Sequence, residues 1–186
     1  MKRVSEGKLV DFEESCFTTL EERVWRLESI RAIKECIYYY TKSADIADPD
    51  GMAACFTDGG QVFWHPDSEP AAKGRENLRI HFQKATGMSH TQEHFCTNFQ
   101  IFFKDRCKAV GECNIFSWQI WKDVSKPATI CSGRYEFEAQ IENGTWRLAS
   151  LCLALNAKFE NGSVVDGRER EQFNRPWPPM EIGNRK

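Results

Sequence analysis

Hydrophobic and polar residues follow two different periods along this chain, a helical period in its first half and a strand-like period after residue 90. Between residues 20 and 40, apolar residues recur at three- and four-residue steps, which predicts one long amphipathic helix. Thr18 and Thr19 precede two glutamates at capping-box spacing and mark its start. The predicted apolar face consists of Leu20, Val24, Leu27, Ile30, Ile33, Ile37 and Tyr40.

A corner with the sequence ADIADPDGM follows the long helix and leads into a short second helix that ends near residue 56. Pro49 favours an extended residue before it and suits the first turn of the new helix. TDGG at residues 57–60 predicts a turn, and QVFWH at residues 61–65 predicts a short strand. Residues 75–86 have Leu78, Phe82 and Ala85 on one face and predict a third helix.

Four long strand-like segments occupy the chain from His90 to Asn156, and short polar turns separate them. This arrangement predicts an antiparallel meander. Three helices together with such a meander predict an α+β fold, with the helices packed on one face of a strongly curved sheet. We place this domain at residues 18–158, with an N-terminal arm at residues 1–17 and a C-terminal extension at residues 159–186.

Charge and composition exclude several classes of function. A net charge of −2 gives no electrostatic basis for binding nucleic acid or an anionic membrane. No segment approaches the roughly 18 apolar residues that a membrane span requires. The eight cysteines are scattered without a C-x-x-C pair. Because several of them occupy apolar positions and we expect no signal peptide, we predict reduced thiols in a cytoplasmic protein.

Asp45 and His94 are the best candidates for acid–base chemistry. Asp45 falls where the long helix is predicted to end, and the helix dipole disfavours a carboxylate there. It is either a turn-forming residue in solvent or a carboxylate aimed into a cavity. His94 lies early in the first long strand, where its imidazole can accept a proton near neutral pH if a carboxylate holds the other ring nitrogen. The alternative is a core histidine bonded to a backbone carbonyl.

Three further residues, Tyr40, His81 and His90, have side chains of a type that can take part in catalysis or metal binding. Tyr40 continues the apolar face, so its hydroxyl needs a polar partner inside the protein, although an ordinary aromatic core explains it equally well. His81 lies beside the apolar face of the third helix, and we expect it to be a structural or surface residue. His90 and His94 are four residues apart, which is ~13 Å along a strand. We therefore predict no metal site.

Three segments, IRAIKECIYYYTKSAD, EHFCTN and GTWRL, occur in an order that resembles the SnoaL-like branch of the nuclear transport factor 2-like superfamily. The resemblance spans residues 18–158. It implies a cone-shaped barrel in which a curved, mostly antiparallel sheet wraps around the long N-terminal helix and two shorter helices, enclosing a deep apolar pocket. By analogy with the eliminating members, it also implies that His94 is the base, Asp45 its orienter and Tyr40 a hydrogen-bond donor.

The chain departs from some dehydratase members, which have a second histidine on the following strand where this sequence reads FSWQIW. Candidates for the missing proton-handling group are Asn98, Ser117, Arg134 and Asn156. An aromatic pocket for a small hydrophobic substrate is expected to be lined by Phe63, Trp64 and Trp118.

We therefore predict a cofactor-independent lyase (a dehydratase) or isomerase that acts on a small hydrophobic, polycyclic or polyketide-like molecule through an Asp–His pair. A non-catalytic small-ligand-binding or protein-interaction module on the same fold is the alternative, because the fold alone does not choose between them. Large side chains on both faces of IFSWQIW predict a homodimer or homotrimer that associates through the outer sheet face.

Overall fold

Three helices and seven strands form the part of the chain described by the computed structural model, which covers residues 17–161 and the backbone of residues 163–167. The helices are α1 (Leu20–Asp45), α2 (Pro49–Ala54) and α3 (Arg75–Gly87). The strands are β1 (Phe56–Phe63), β2 (Ala72–Lys73), β3 (Ser89–Asp105), β4 (Lys108–Trp121), β5 (Thr129–Glu142), β6 (Thr145–Glu160) and β7 (Ser163–Gly167). Residues 1–16 and 168–186, which make up most of the predicted arm and extension, lie outside the described residues, so the domain boundaries stay predictions.

The start of α1 is the predicted capping box. The Thr19 hydroxyl oxygen accepts a hydrogen bond from the backbone N–H of Glu22 at 3.2 Å. In return, the Glu22 carboxylate accepts one from the backbone N–H of Thr19 at 3.0 Å. Two of the N–H groups that no helical carbonyl can reach are thereby satisfied, which confirms the predicted beginning of the helix.

The predicted apolar face of α1 is correct only in its second half. Ile33, Ile37 and Tyr40 are buried, whereas Leu20 is 73% and Leu27 is 63% exposed and Val24 is also exposed. The first turns bury the neighbouring stripe instead, because the Trp25 ring packs against the rings of Phe103 and Trp146 at centroid distances of 5.2 and 6.5 Å. The contacts of the Trp25 ring with the sheet therefore determine which side of the first turns of α1 is buried, and this side differs from the predicted one.

The sheet has the strand order β2-β1-β6-β5-β4-β3, and β7 pairs with the outer part of β6. All neighbouring pairs are antiparallel except β1 and β6, which run parallel. The predicted meander from β3 to β6 is confirmed, as is the α+β fold with a curved sheet around the helices. The sheet is an open cone rather than a closed barrel, because β2 and β3 form its two edges within the described residues.

The predicted turn at residues 57–60 is wrong, since TDGG lies inside β1. The register of the pairing between β1 and β6 shifts between Phe56 and Gln61. The two glycines lie within this irregular part of the strand. A Cβ atom on Gly60 would lie 2.8 Å from the Cβ of Phe56, so the strand can bend here only with glycine.

The two sheet faces differ in what covers them. The inner face packs on the helices through fully buried rings, which include Phe56, Phe103 and Phe137 from the sheet and Phe82 from α3. On the outer face, apolar side chains that are 39–49% exposed are Phe95, Phe116, Ile120 and Ile130. The homodimer or homotrimer through this face stays a prediction. Within residues 17–161, no helix is long and apolar enough to span a membrane.

Candidate active site

Asp45 and His94 meet where the last turn of α1 lies against β3. The Nδ1 atom of His94 lies 2.6 Å from Oδ1 of Asp45, and the backbone N–H of His94 donates to Oδ2 at 3.4 Å. The two side chains are 17% and 19% exposed. In the neutral ring, the proton on Nδ1 donates to the carboxylate, and Nε2 keeps its lone pair. The contact therefore orients an imidazole as a base.

The corner after α1 explains why Asp45 reaches β3. The backbone N–H of Asp48 bonds back to the carbonyl of Ser43 at 2.8 Å, and the Asp48 carboxylate caps α2 at the N–H of Gly51. From the sheet, the Gln92 side-chain amide donates to the carbonyl of Ala44 at 2.6 Å. Because Gln92 and His94 are two residues apart on one strand, both side chains face the same way and together clamp the helix end.

A cavity of about 490 Å³ opens beside this contact, between the helices and the inner face of the sheet. Its polar strip contains Gln92, His94, Ser117 and Gln119. Its apolar wall includes Met52, Trp64, Phe82, Trp121 and Leu153, and its remaining lining residues are Tyr40, Ala44, His81, Lys84, Ala85, Thr86, Met88, Ile115, Cys131 and Tyr135. Such a mixture of a mostly apolar wall and a few convergent polar groups is typical of a small-molecule site.

The polar strip is fixed by strand register. Ser117 on β4 lies directly opposite His94 on β3, and Gln119 lies opposite Gln92. The Gln92 side-chain oxygen accepts hydrogen bonds from the Ser89 hydroxyl at 3.0 Å and from the Gln119 amide at 3.1 Å, and the Gln119 amide also contacts the Ser89 hydroxyl. This network holds the polar groups beside His94 in place before any ligand arrives.

Two buried tyrosines face the same cavity. Tyr40 comes from α1 and Tyr135 from β5, and their rings lie edge to face with centroids 6.2 Å apart. Burial is the largest cause that raises the pKa of both hydroxyl groups above their ordinary value. Both therefore stay protonated at physiological pH, where they can donate hydrogen bonds. Tyr40 was predicted from the sequence, and Tyr135 was not.

His81 is one of the residues that line the cavity, and its structural or surface role stays a prediction. Its Nε2 atom accepts a hydrogen bond from the Trp64 indole N–H at 2.9 Å, and the two rings stack with centroids 5.6 Å apart. Desolvation, followed by the nearby Lys84 charge, lowers the pKa of His81. A neutral His81 with an occupied Nε2 carries its ring proton on Nδ1.

The predicted site residues divide between the cavity and other places. Tyr40, Trp64, His94 and Ser117 line the cavity, and Asp45 holds His94 from behind. Five predicted substrate-binding residues lie outside the lining: Phe63, Asn98, Trp118, Arg134 and Asn156.

Alternation along the strands explains three of these five placements. Phe63, Trp118 and Arg134 each stand next in sequence to a lining residue, so their side chains point to the opposite face. Phe63 lines a separate polar hollow of about 290 Å³ on that face. Trp118 donates its indole N–H to Glu93 at 3.1 Å.

Irregular pairing explains the other two placements. Asn98 is exposed and has a φ of 54°, at a point where the register of β3 and β4 shifts. Asn156 lies at the corresponding irregularity between β5 and β6, opposite the step from Ser132 to Gly133.

Arg134 belongs to a charged cluster on the outer sheet face. Its Nε atom lies 3.5 Å from a Glu112 oxygen, and its Nη2 atom lies 3.6 Å from a Glu136 oxygen. The Nε–H is buried without a hydrogen-bond partner. Desolvation raises the pKa of Glu112 to about 7, against the opposing effect of Arg134 and with a further contribution from Glu136.

Glu112→Gln is expected to remove one component of the pH dependence of stability. Because the folded protein holds a proton on Glu112 up to about pH 7, whereas the ordinary value is 4.5, stability should fall as the pH rises through this window. Urea unfolding at pH 5 and pH 8 should show a smaller loss in the variant than in the wild type. Glu69→Gln, in an exposed loop, is the control and should lose as much stability between pH 5 and pH 8 as the wild type. A loss in Glu112→Gln equal to that of the wild type would contradict the raised pKa of Glu112.

No group of three or more His, Cys, Asp or Glu side chains in residues 17–161 is arranged to hold a metal ion.

Comparisons with known proteins agree on the fold. The sequence profile of the SnoaL-like domain matches residues 25–151. A Novosphingobium aromaticivorans protein with the provisional name scytalone dehydratase superposes with a TM-score of 0.68 at 20% identity, covering 74% of this chain and 91% of that one. A type 2 hexachlorocyclohexane dehydrochlorinase gives 0.67 at 18% identity, over 78% and 95% of the two chains.

The type 3 enzyme of that name from Novosphingobium barchaimii gives a TM-score of 0.67 at 16% identity, over 79% of this chain and 99% of that one. No curated protein matches the chain. At such identities the likeness of the solved structures concerns the fold alone.

Proposed function

The chain belongs to the SnoaL-like domain family, and from this premise we propose that it is a cofactor-independent lyase or isomerase acting on a small hydrophobic molecule. The observation that carries the proposal is the 2.6 Å contact between Asp45 and His94 beside a mostly apolar cavity. A carboxylate that fixes one ring nitrogen and leaves the other facing a cavity is the arrangement of a general base.

In the proposed reaction, Nε2 of His94 removes a proton from a substrate carbon. The electrons of the broken C–H bond form a carbon–carbon double bond, and a leaving group departs from the adjacent carbon with its bonding pair. The Asp45 carboxylate stabilises the imidazolium that forms, at a contact distance suited to a charge-assisted hydrogen bond. If no group leaves, the imidazolium returns the proton to a different carbon, and the reaction is an isomerisation.

The departing group needs a hydrogen-bond donor. Ser117 lies across the strand pair from His94, and Tyr40 and Tyr135 present protonated hydroxyls to the same cavity. Donors that are buried and already in place stabilise developing negative charge more strongly than water does. We assign the leaving group to this side of the cavity. In this proposal, Ser117 takes the place of the second histidine that some dehydratase members have on the corresponding strand.

The substrate class follows from the cavity. A volume of about 490 Å³ falls in the range of pockets that hold drug-sized molecules. The aromatic rings of Trp64, Phe82 and Trp121 suit a ring-containing, polycyclic or polyketide-like compound with one hydroxyl or halogen to lose. The names of two solved neighbours, a dehydratase and a dehydrochlorinase, both denote eliminations and favour this class.

We also propose that the protein works in the cytoplasm and needs no metal or other cofactor. The seven described cysteines are free thiols, which suits a reducing compartment. An elimination of this kind is neutral in redox, so the base and the donors on the chain complete it without a co-reactant.

A screen of hydrophobic alcohols and alkyl chlorides tests the proposal directly. Binding to the folded protein raises its melting temperature, and the formation of a conjugated double bond appears as new ultraviolet absorbance. Compounds that raise the melting temperature and are converted support the lyase. Compounds that bind equally well to wild type and to His94→Ala, with no conversion by either, would instead establish the ligand-binding module.

Asp45→Asn is expected to move the ring proton of His94 from Nδ1 to Nε2. The backbone N–H of His94 favours the amide oxygen at the Oδ2 position, which turns the amide NH₂ toward Nδ1. Nε2 then loses the lone pair that accepts the substrate proton, and turnover should fall about 10²–10⁴-fold, the usual range for general-base catalysis.

Nitrogen-15 NMR of the imidazole ring measures this tautomer without a substrate. Asp48→Asn is the matched control, because asparagine also caps a helix and this side chain serves α2 rather than His94. An Nδ1-protonated ring in Asp45→Asn would contradict the orienting role of the carboxylate.

A further inference from the structure

Cys36 and Cys55 bring two thiols together outside the cavity. Cys36 lies in the middle of α1, and Cys55 follows the last residue of α2. The Sγ atom of Cys36 lies 3.4 Å from the carbonyl oxygen of Cys55, and the two side chains are within hydrogen-bonding distance of each other. Two thiols that hydrogen-bond to each other across two helices are candidates for a covalent bridge.

The two thiols have different surroundings. Cys36 is half-buried, whereas Cys55 is 4% exposed and its thiol lies 3.4 Å from the carbonyl oxygen of Gly51. The hydrogen bond from Cys55 lowers the pKa of Cys36, and the Arg147 guanidinium and the backbone of Leu148 act in the same direction against desolvation. Arg147 is held there by a hydrogen bond to the carbonyl of Ala54. Cys36 is therefore the more reactive thiol, and Cys55 is the one that can resolve it.

We propose that Cys36 and Cys55 form a redox site that hydrogen peroxide oxidises to a disulfide. The Cys36 thiolate attacks one peroxide oxygen, the O–O bond breaks, and sulfenic acid and hydroxide form. The Cys55 sulfur then attacks the Cys36 sulfur, the S–O bond breaks, and the departing oxygen leaves as water with the Cys55 proton. In total, two thiols and one peroxide give one disulfide and two waters.

The bridge would close a loop that contains Tyr40, the corner and Asp45. Cross-linking removes conformational freedom mainly from the unfolded chain, so the oxidised protein should melt several degrees higher than the reduced protein. The redox site thus bears on the segment that presents Asp45 to His94, although its chemistry is independent of the proposed reaction.

A second thiol pair serves as an internal comparison. The side chains of Cys96 and Cys113 also hydrogen-bond to each other, but Cys113 is fully buried, and its pKa is raised by Cys96 and by desolvation. Because the positive Arg147 guanidinium lies near Cys36 and Cys55, whereas the Glu112 carboxyl group lies near Cys113, peroxide should form the Cys36–Cys55 bridge first.

Peptide mapping after peroxide treatment tests the site in the whole protein. After free thiols are alkylated, trypsin should yield peptide 35–42 linked to peptide 43–73, and dithiothreitol should separate them. Cys55→Ser should stop at a sulfenic acid on Cys36 that dimedone captures, and Cys36→Ser should give no bridge. Cys107→Ser, which removes an exposed unpaired thiol, should form the bridge as the wild type does.

Two outcomes would overturn the proposal. One is that Cys36 and Cys55 are both still alkylated at a peroxide concentration that has oxidised Cys107. The other is a bridge that joins Cys36 or Cys55 to a different cysteine, since the described contacts place them only with each other. Activity is measured in neither case, so this result is separate from the fate of the proposed lyase.

Discussion

Replacing His94 by alanine is expected to lower turnover by about 10²–10⁴-fold, the usual contribution of a general base. The imidazole is the group at the Asp45 contact that can accept a substrate proton. The methyl side chain of alanine has no atom that can accept a proton in place of Nε2. The melting temperature should change by only a few degrees, because the side chain lines a cavity rather than filling the core. Steady-state rates on a compound found by the screen, together with thermal unfolding, measure both quantities.

His90→Ala is the matched control for this variant. His90 lies on the same strand but is exposed and does not line the cavity, so its loss should leave turnover unchanged. Wild-type rates in His94→Ala would end the catalytic proposal, and an equal loss in both variants would point to damage to β3 instead.

Phe137→Ala is expected to cost about 3–5 kcal/mol of unfolding free energy, the usual range for a phenylalanine removed from a packed core. Phe137 is fully buried on the inner face of β5, and its ring fills the space above Gly111. A Cβ on Gly111 would lie 2.5 Å from that ring, so no space for a larger side chain remains between the two positions. Urea unfolding measures the loss.

Tyr39→Ala provides the comparison, because Tyr39 is 55% exposed on α1 and its removal should change stability by roughly 0.5 kcal/mol or less. A loss below about 1 kcal/mol in Phe137→Ala would mean that the inner face of β5 repacks around the gap.

The elements of this fold follow from local patterns. The capping box at Thr19 and the polar turns between β3 and β6 depend on a few neighbouring residues, so the sequence predicts them well. The buried face at the start of α1 does not, because the stripe through Leu20 and the stripe through Trp25 both satisfy the helical period. The rings of Phe103 on β3 and Trp146 on β6, which pack against Trp25, determine which stripe is buried. Both lie more than 70 residues further along the chain.

The site could be predicted only in part, and strand alternation explains why. Ser117 and Trp118 are adjacent, and chemistry alone makes both attractive, but only Ser117 faces the cavity. Arg134 is a predicted site residue, whereas its neighbour Tyr135, which lines the cavity, is not among the predicted residues. The segment GRYEFEAQI in fact alternates aromatic and charged residues, and this period places Tyr135 on the apolar face with Phe137. The signal for the missed tyrosine was therefore present in the sequence.

Gln92 and Gln119 illustrate the opposite case, in which no local signal exists. Their importance comes from pairing across β3 and β4 and from the carbonyl of Ala44 at the end of α1. A glutamine in a strand is otherwise unremarkable, and only the pairing register of β3 and β4 brings this pair together in the lining of the cavity.

The contact between Asp45 and His94 joins residues that are 49 positions apart. During refolding, helix α1 can form within microseconds from local contacts, but the hydrogen bond between Asp45 and His94 must wait until β3 docks against the helix end. The proposed activity would therefore recover late in refolding, after most of the helical signal has returned. Its recovery would report on the docking of sheet and helix rather than on secondary structure.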